Sequence, residues 1–224
     1  MFAKVFFELL PFDTLIPLVY GLIFWSRLRK DMRVLVGYMA YQLVFTLAIG
    51  ILRSQPGRHN LWLVNLCFPL DVYFLLILFS LWEPLIRMRG SIMGALAVYS
   101  TISYLEMWIY GADRFTAFVQ PVGWTIVIVV AGITLITESR RFETGFTKQS
   151  SFWISGGLLI VGCMQITLAL MNDVTFHVSV ETLRYFHRIL RPPAGVLQVI
   201  VFLAALVVQV TARPLVSLEK EQDH

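Results

Sequence analysis

Apolar positions gather into seven runs, at about 9–26, 34–52, 60–82, 90–110, 117–137, 152–171 and 193–212, with short polar connectors between them. A hydrocarbon core takes roughly 20 residues of helix to cross, whereas a tilted barrel strand needs only about 9–11. Lipid offers no partner to open backbone groups, so runs of this length are predicted to be helices. The first run is the most interrupted, by Pro11, Asp13 and Pro17. It is read as a retained span, because no small-residue cleavage site follows it. The expected fold class is all-α: a polytopic, seven-transmembrane helix bundle forming one domain over residues 1–224.

Basic residues set the expected orientation. The amino terminus and the second, fourth and sixth connectors hold seven Lys and Arg; the other connectors and the tail hold eleven, densest in SRLRKDMR (26–33). The positive-inside tendency places the richer side in the cytoplasm, with the N-terminus outside and the C-terminus inside. Trp25, Trp82 and Trp153 then fall near inner ends and Trp62 and Trp108 near outer ends, as amphipathic rings that favour the interface would.

In this orientation the strongly polar residues lie towards the outer side. Asn65 and Asp71 occupy the outer half and middle of the third run, Gln42 the middle of the second, and Glu106 the outer third of the fourth. Gln165 and Gln198 lie in the outer halves of the sixth and seventh, with His187, Arg188 and Arg191 just above Gln198. The inner stretches VYFLLILFSLW, TIVIVVAGITLIT and VIVFLAALVV carry no ionisable group. Tyr38, Tyr41, Ser80, Thr134 and Ser155 are the polar residues expected there, each able to satisfy itself locally or on a neighbouring helix.

A charge at mid-bilayer costs about 2.5–3.5 kcal/mol on insertion scales. Asp71 is therefore expected to face other helices or water. It either pairs with His187, Arg188 or Arg191, or holds its proton against a backbone carbonyl. Pro17, Pro69, Pro121 and Pro192–Pro193 share this outer depth, and helix bends at prolines would open a cavity there. Pro192–Pro193 also suit a first helical turn, leaving 180–191 as a separate amphipathic helix or a bent extension of the last span.

Composition agrees: 58% of residues are hydrophobic and 14% charged, against about 25% charged in soluble domains. The connectors and tail leave no room for a soluble catalytic or DNA-binding module. The net charge of +4 is explained by topology and anionic headgroups, so no nucleic-acid partner is expected. All four lysines lie outside the spans, which argues against Schiff-base chemistry in the membrane. The histidines lie at ends or in connectors, which argues against haem. No His and carboxylate spacing forms a zinc set, and no Gly-x-Ser-x-Gly elbow occurs. No metal and no cofactor is expected. Cys67 and Cys163 sit in apolar runs and read as packing residues. GSIMG (90–94) is a small-xxx-small motif that lets helices approach closely, by default within the chain. The chain has no Asn-x-Ser/Thr sequon, in keeping with a bacterial origin.

HNLWLVNLCFPLDVYFLLILFSLW, FWISGGLLIVGCMQITLAL and YFHRIL together resemble an uncharacterised family of bacterial seven-helix membrane proteins. The shared points are Asn60–Leu63, Asp71, Phe152–Ile154 and His187; Gln120–Pro121 and Pro192–Pro193 depart from the pattern. The resemblance implies the architecture and marks Asp71 and His187. It implies no mechanism.

The expected function is a ligand-binding or sensing module in the bacterial cytoplasmic membrane. A small molecule or lipid headgroup would enter from the outside into a pocket drawn from Asp71, Gln42, Asn65, Glu106, Gln165, His187, Arg188 and Arg191. Membrane lipids surround it, and a cytoplasmic or membrane protein would receive any signal. The alternatives are an enzyme acting on an outer-leaflet lipid, with Asp71 or Glu106 as acid or base, a small-solute transporter, and an accessory subunit of a membrane complex.

Overall fold

The computed structural model describes residues 14–53, 61–111, 118–141, 148–176 and 180–222. Among the described residues there are seven α-helices and no strand: α1 Leu15–Ile23, α2 Lys30–Arg53, α3 Leu61–Ser80, α4 Arg89–Tyr110, α5 Val119–Arg141, α6 Ser150–Phe176 and α7 Val180–Gln222. Short 3-10 turns at Trp25–Arg27 and Glu83–Met88 lead into α2 and α4. The segments Lys30–Leu52, Trp62–Ser80, Leu85–Tyr110, Val119–Arg140, Ser150–Met171 and Pro192–Thr211 are each long and apolar enough to cross a membrane. This is an integral membrane protein with at least these six candidate spans. The first predicted run meets α1, which has nine residues; residues 9–13 of that run lie outside the described residues.

Each helix packs on the next in sequence, as short connectors require. α1 also packs on α7, and α3 touches α2, α4 and α5. α3 is accordingly the most buried of the six long helices. The outer surface is apolar: Ile23, Val44, Ile109 and Trp108 all point outward, Trp108 with 84% of its surface exposed. Water would not tolerate so continuous an apolar surface; acyl chains do.

Where helices meet closely, glycines allow it. A Cβ on Gly157 of α6 would fall 2.4 Å from Val201 of α7, one on Gly162 would fall 2.7 Å from Ile128 of α5, and one on Gly123 of α5 would meet Val72 and the Tyr99 hydroxyl. Such contacts strengthen helix association in lipid, where dispersion replaces the hydrophobic effect. Among the described residues the expected small-residue contact at GSIMG is not made: Gly90 and Gly94 have open space on their Cβ side, and Ile92 turns inward instead.

Two other details depart from the sequence reading, and a third chooses between its alternatives. Pro17 and Pro121 fall in the first turns of α1 and α5, where the missing N–H has no intrahelical acceptor to lose. Of these four sites only Pro69 and Pro192–Pro193 interrupt a ladder, so the shared-depth cavity argument loses two of its members. α7 runs unbroken through Pro192–Pro193, so residues 180–191 are an extension of that helix rather than a separate one. Trp82 is not an interfacial anchor. It is fully buried, edge-on to Phe79 at 4.8 Å between ring centroids.

The end carrying SRLRKDMR is ordered by its own charges. Arg29 donates to Asp31 through Nε (3.2 Å) and Nη2 (2.9 Å), placing a carboxylate in the first turn of α2, where the helix dipole favours it. Arg27 lies over Phe24 and Arg33 over Trp25.

Candidate functional site

Asp71 lies at mid-length in α3, two residues after Pro69, and is only 9% exposed. It faces α2. The Gln42 Nε2 donates to Asp71 Oδ1, and the same amide donates to the Tyr38 hydroxyl one turn earlier, at 3.0 Å. Gln198 of α7 lies close to the Tyr38 hydroxyl. A polar cluster therefore extends from α3 through α2 to α7: Asp71, Gln42, Tyr38, Gln198. One turn towards the start of α3, the Tyr41 hydroxyl donates to the Cys67 carbonyl at 2.6 Å.

Pro69 has no N–H to offer the carbonyl one turn before it, so this part of the α3 ladder is weakened beside the carboxylate. Aromatic rings wall the cluster. Phe74 stacks on Tyr41 at 5.3 Å, and Phe202 meets Tyr38 edge-on at 6.0 Å. On the α4 side the buried Tyr99 hydroxyl lies within electrostatic reach of Asp71 and has no hydrogen bond of good geometry. Ser103, its polar neighbour, donates instead to the Tyr99 carbonyl at 2.8 Å.

The structure brings Asp71 and Gln42 together and buries Asn65 on the same helix as Asp71. It gives Glu106 a different setting. Both Glu106 carboxylate oxygens face the start of α5, accepting from the backbone N–H of Val119 at 3.0 Å and of Phe118 at 3.4 Å. That contact satisfies donors that a helix N-terminus otherwise leaves open. Gln165 is half-buried on α6 and has no hydrogen bond to the Asp71 cluster among the described residues. The side chains of His187, Arg188 and Arg191 lie outside the described residues, so their expected pairing with Asp71 does too. Among the described residues no cation stands within 4.0 Å of Asp71; the ion pair there is Arg29–Asp31. No group of three His, Cys, Asp or Glu side chains assembles among them either. Cys67 is buried and Cys163 exposed, both as free thiols.

Tyr38, Tyr41 and Gln198 carry the cluster as much as Gln42 does. Tyr41 and Gln42 follow Tyr38 by three and four residues, the spacing of one helix face. That was the available signal in the sequence.

The half of the bundle read above as inner is also less uniformly apolar than expected. Ser80 and Thr134 satisfy themselves on the carbonyls of Ile77 and Val130, but the fully buried Ser155 hydroxyl has no hydrogen-bond partner among the described residues. Glu138 and Gln209, which follow directly on the apolar stretches TIVIVVAGITLIT and VIVFLAALVV, are both buried.

No protein-family model, no curated protein and no solved structure matches this chain.

Proposed function

We propose that the protein is a seven-span bundle of the bacterial cytoplasmic membrane, N-terminus outside, that binds a small polar molecule or lipid headgroup at the Asp71 cluster. The observation that carries this reading is a buried carboxylate held in mid-bundle by an amide from a different helix. Keeping such a group costs several kcal/mol unless its remaining lone pairs are satisfied. Gln42 fills one position on Asp71 Oδ1, and a ligand carrying an N–H, an O–H or a cationic nitrogen would fill another. The aromatic walls, Tyr41, Phe74 and Phe202, suit the apolar body of such a ligand or the face of a cation.

In this reading access is from the extracytoplasmic side. Asn65 is the next strongly polar residue of α3 in that direction, and His187, Arg188 and Arg191 belong to the outer part of α7. The ligand would bridge α2, α3 and α7. A change in their packing is the signal a protein partner at the cytoplasmic connectors would receive.

Native mass spectrometry of the full chain in lipid nanodiscs tests the proposal. The wild type is expected to retain a non-covalent adduct that folded Asp71→Asn and Gln42→Leu both lose. No adduct, or one that both variants keep, would contradict it.

A further inference from the structure

A second polar cluster lies at one end of the bundle, where α5 ends and α6 begins. Glu138 of α5 is 5% exposed. Its Oε1 accepts from the Ser151 hydroxyl at 3.1 Å, while its Oε2 has no hydrogen-bond partner among the described residues. Beside it the Ser150 hydroxyl donates to Oε1 of Gln209 at 3.4 Å, bringing in α7. Ser155 follows Ser151 by four residues and so lies one turn deeper on the same face of α6. It is wholly buried, and its hydroxyl oxygen is unpartnered as well.

We propose that Glu138, Ser151, Ser155 and Gln209 form a binding site for a monovalent alkali cation.

The donor set is all oxygen, which suits a hard cation and not a soft one. Two of its oxygens, one a carboxylate and one a hydroxyl, are desolvated without any hydrogen bond in return, a condition folded proteins rarely maintain. The charge count selects the valence. One carboxylate and one monovalent cation leave the buried cluster neutral, whereas a divalent ion would leave it with an uncompensated charge in a low dielectric. The end of α5 and the start of α6 present dipole ends of opposite sign here, so their fields largely offset each other and the carboxylate decides. Among the described residues no neighbouring cation takes the place of the ion: Arg140 and Lys148 are exposed, and no basic group comes within 4.0 Å of Glu138. An ion bound here would tie α5, α6 and α7 together at one end of the bundle. It would do so without touching Asp71.

The test is thermal unfolding of the full chain in nanodiscs, titrated with NaCl, KCl or choline chloride at constant total ionic strength. Sodium or potassium is expected to raise Tm in a saturable way that choline does not reproduce. The two alkali arms show which ion the site prefers. Glu138→Gln and Ser155→Ala are each expected to raise the half-saturating concentration at least about tenfold, and Asp71→Asn to leave it within about twofold. Ser155→Ala removes one atom and keeps the test open should Glu138→Gln fail to fold. Equal Tm curves in all three salts, or an alkali effect that Ser155→Ala leaves untouched, would overturn the proposal.

Discussion

Gln42 is the residue whose removal most directly probes the Asp71 cluster. Its single amide group serves both Asp71 Oδ1 and the Tyr38 hydroxyl. Gln42→Leu keeps the volume and removes both donors. If the acceptor is an ionised carboxylate, the lost hydrogen bond is worth about 1.5–3 kcal/mol. An interhelical hydrogen bond between neutral groups in a membrane averages only about 0.6 kcal/mol. Burial separates the two cases: with no cation beside Asp71 among the described residues, an ionised form would carry its full desolvation cost, so the neutral pairing sets the scale. The expected loss is therefore about 0.6 kcal/mol and at most about 1.7 kcal/mol. Adding Asp71→Leu removes the stranded acceptor, and replacing both partners by apolar groups is close to neutral. The double variant should thus be more stable than Gln42→Leu alone. Reversible unfolding of the four proteins in mixed micelles of increasing dodecyl sulfate content measures the cycle. Additive effects would refute the coupling.

Other expectations follow from contacts elsewhere. Adjacent glycines on α6 should respond oppositely to alanine. Gly157→Ala drives a methyl into both γ-carbons of Val201 and should cost about 1–3 kcal/mol, relieved by Val201→Ala, whereas Gly156→Ala meets open space and should be neutral or gain up to about 1 kcal/mol from helix propensity; the same unfolding assay reads both. Glu106→Ala should cost about 0.5–2 kcal/mol by exposing the Val119 N–H and should speed amide exchange at the start of α5, while sparing the adduct assigned to Asp71. Fusion reporters should place the C-terminus in the cytoplasm and an engineered cysteine in the 112–117 connector outside; the reverse pattern would invert the orientation.

Much of the architecture was readable from the apolar runs, because lipid leaves the backbone few alternatives. The predicted spans at 34–52, 90–110 and 60–82 correspond to helices Lys30–Arg53, Arg89–Tyr110 and Leu61–Ser80. Asp71 and Gln42 were recognisable as costly groups that had to find partners. That they find each other depends on the rotation of α2 against α3, which hydropathy does not encode. Glu106 looked like a pocket residue because a carboxylate in an outer third is unusual; its contact with the Val119 N–H depends on where α5 begins, a boundary that hydropathy leaves loose. Trp82 was misplaced for a related reason: a tryptophan near a span end suits the interface, but here the Glu83–Met88 turn accompanies it and Leu85 is buried too. Glu138 was passed over because the apolar run stops at 137. A helix that continues to Arg141 carries that carboxylate into contact with Ser151.

The central claim is that Asp71 and Gln42 line a ligand site entered from the extracytoplasmic side. A side-chain-resolution structure determined in a lipid bilayer, without added ligand, tests it most directly. The account predicts non-protein density against the Asp71 carboxyl and the Gln42 amide, continuous towards the side of Asn65. An Asp71 carboxyl turned to acyl chains, or enclosed on every side by packed side chains, would contradict it.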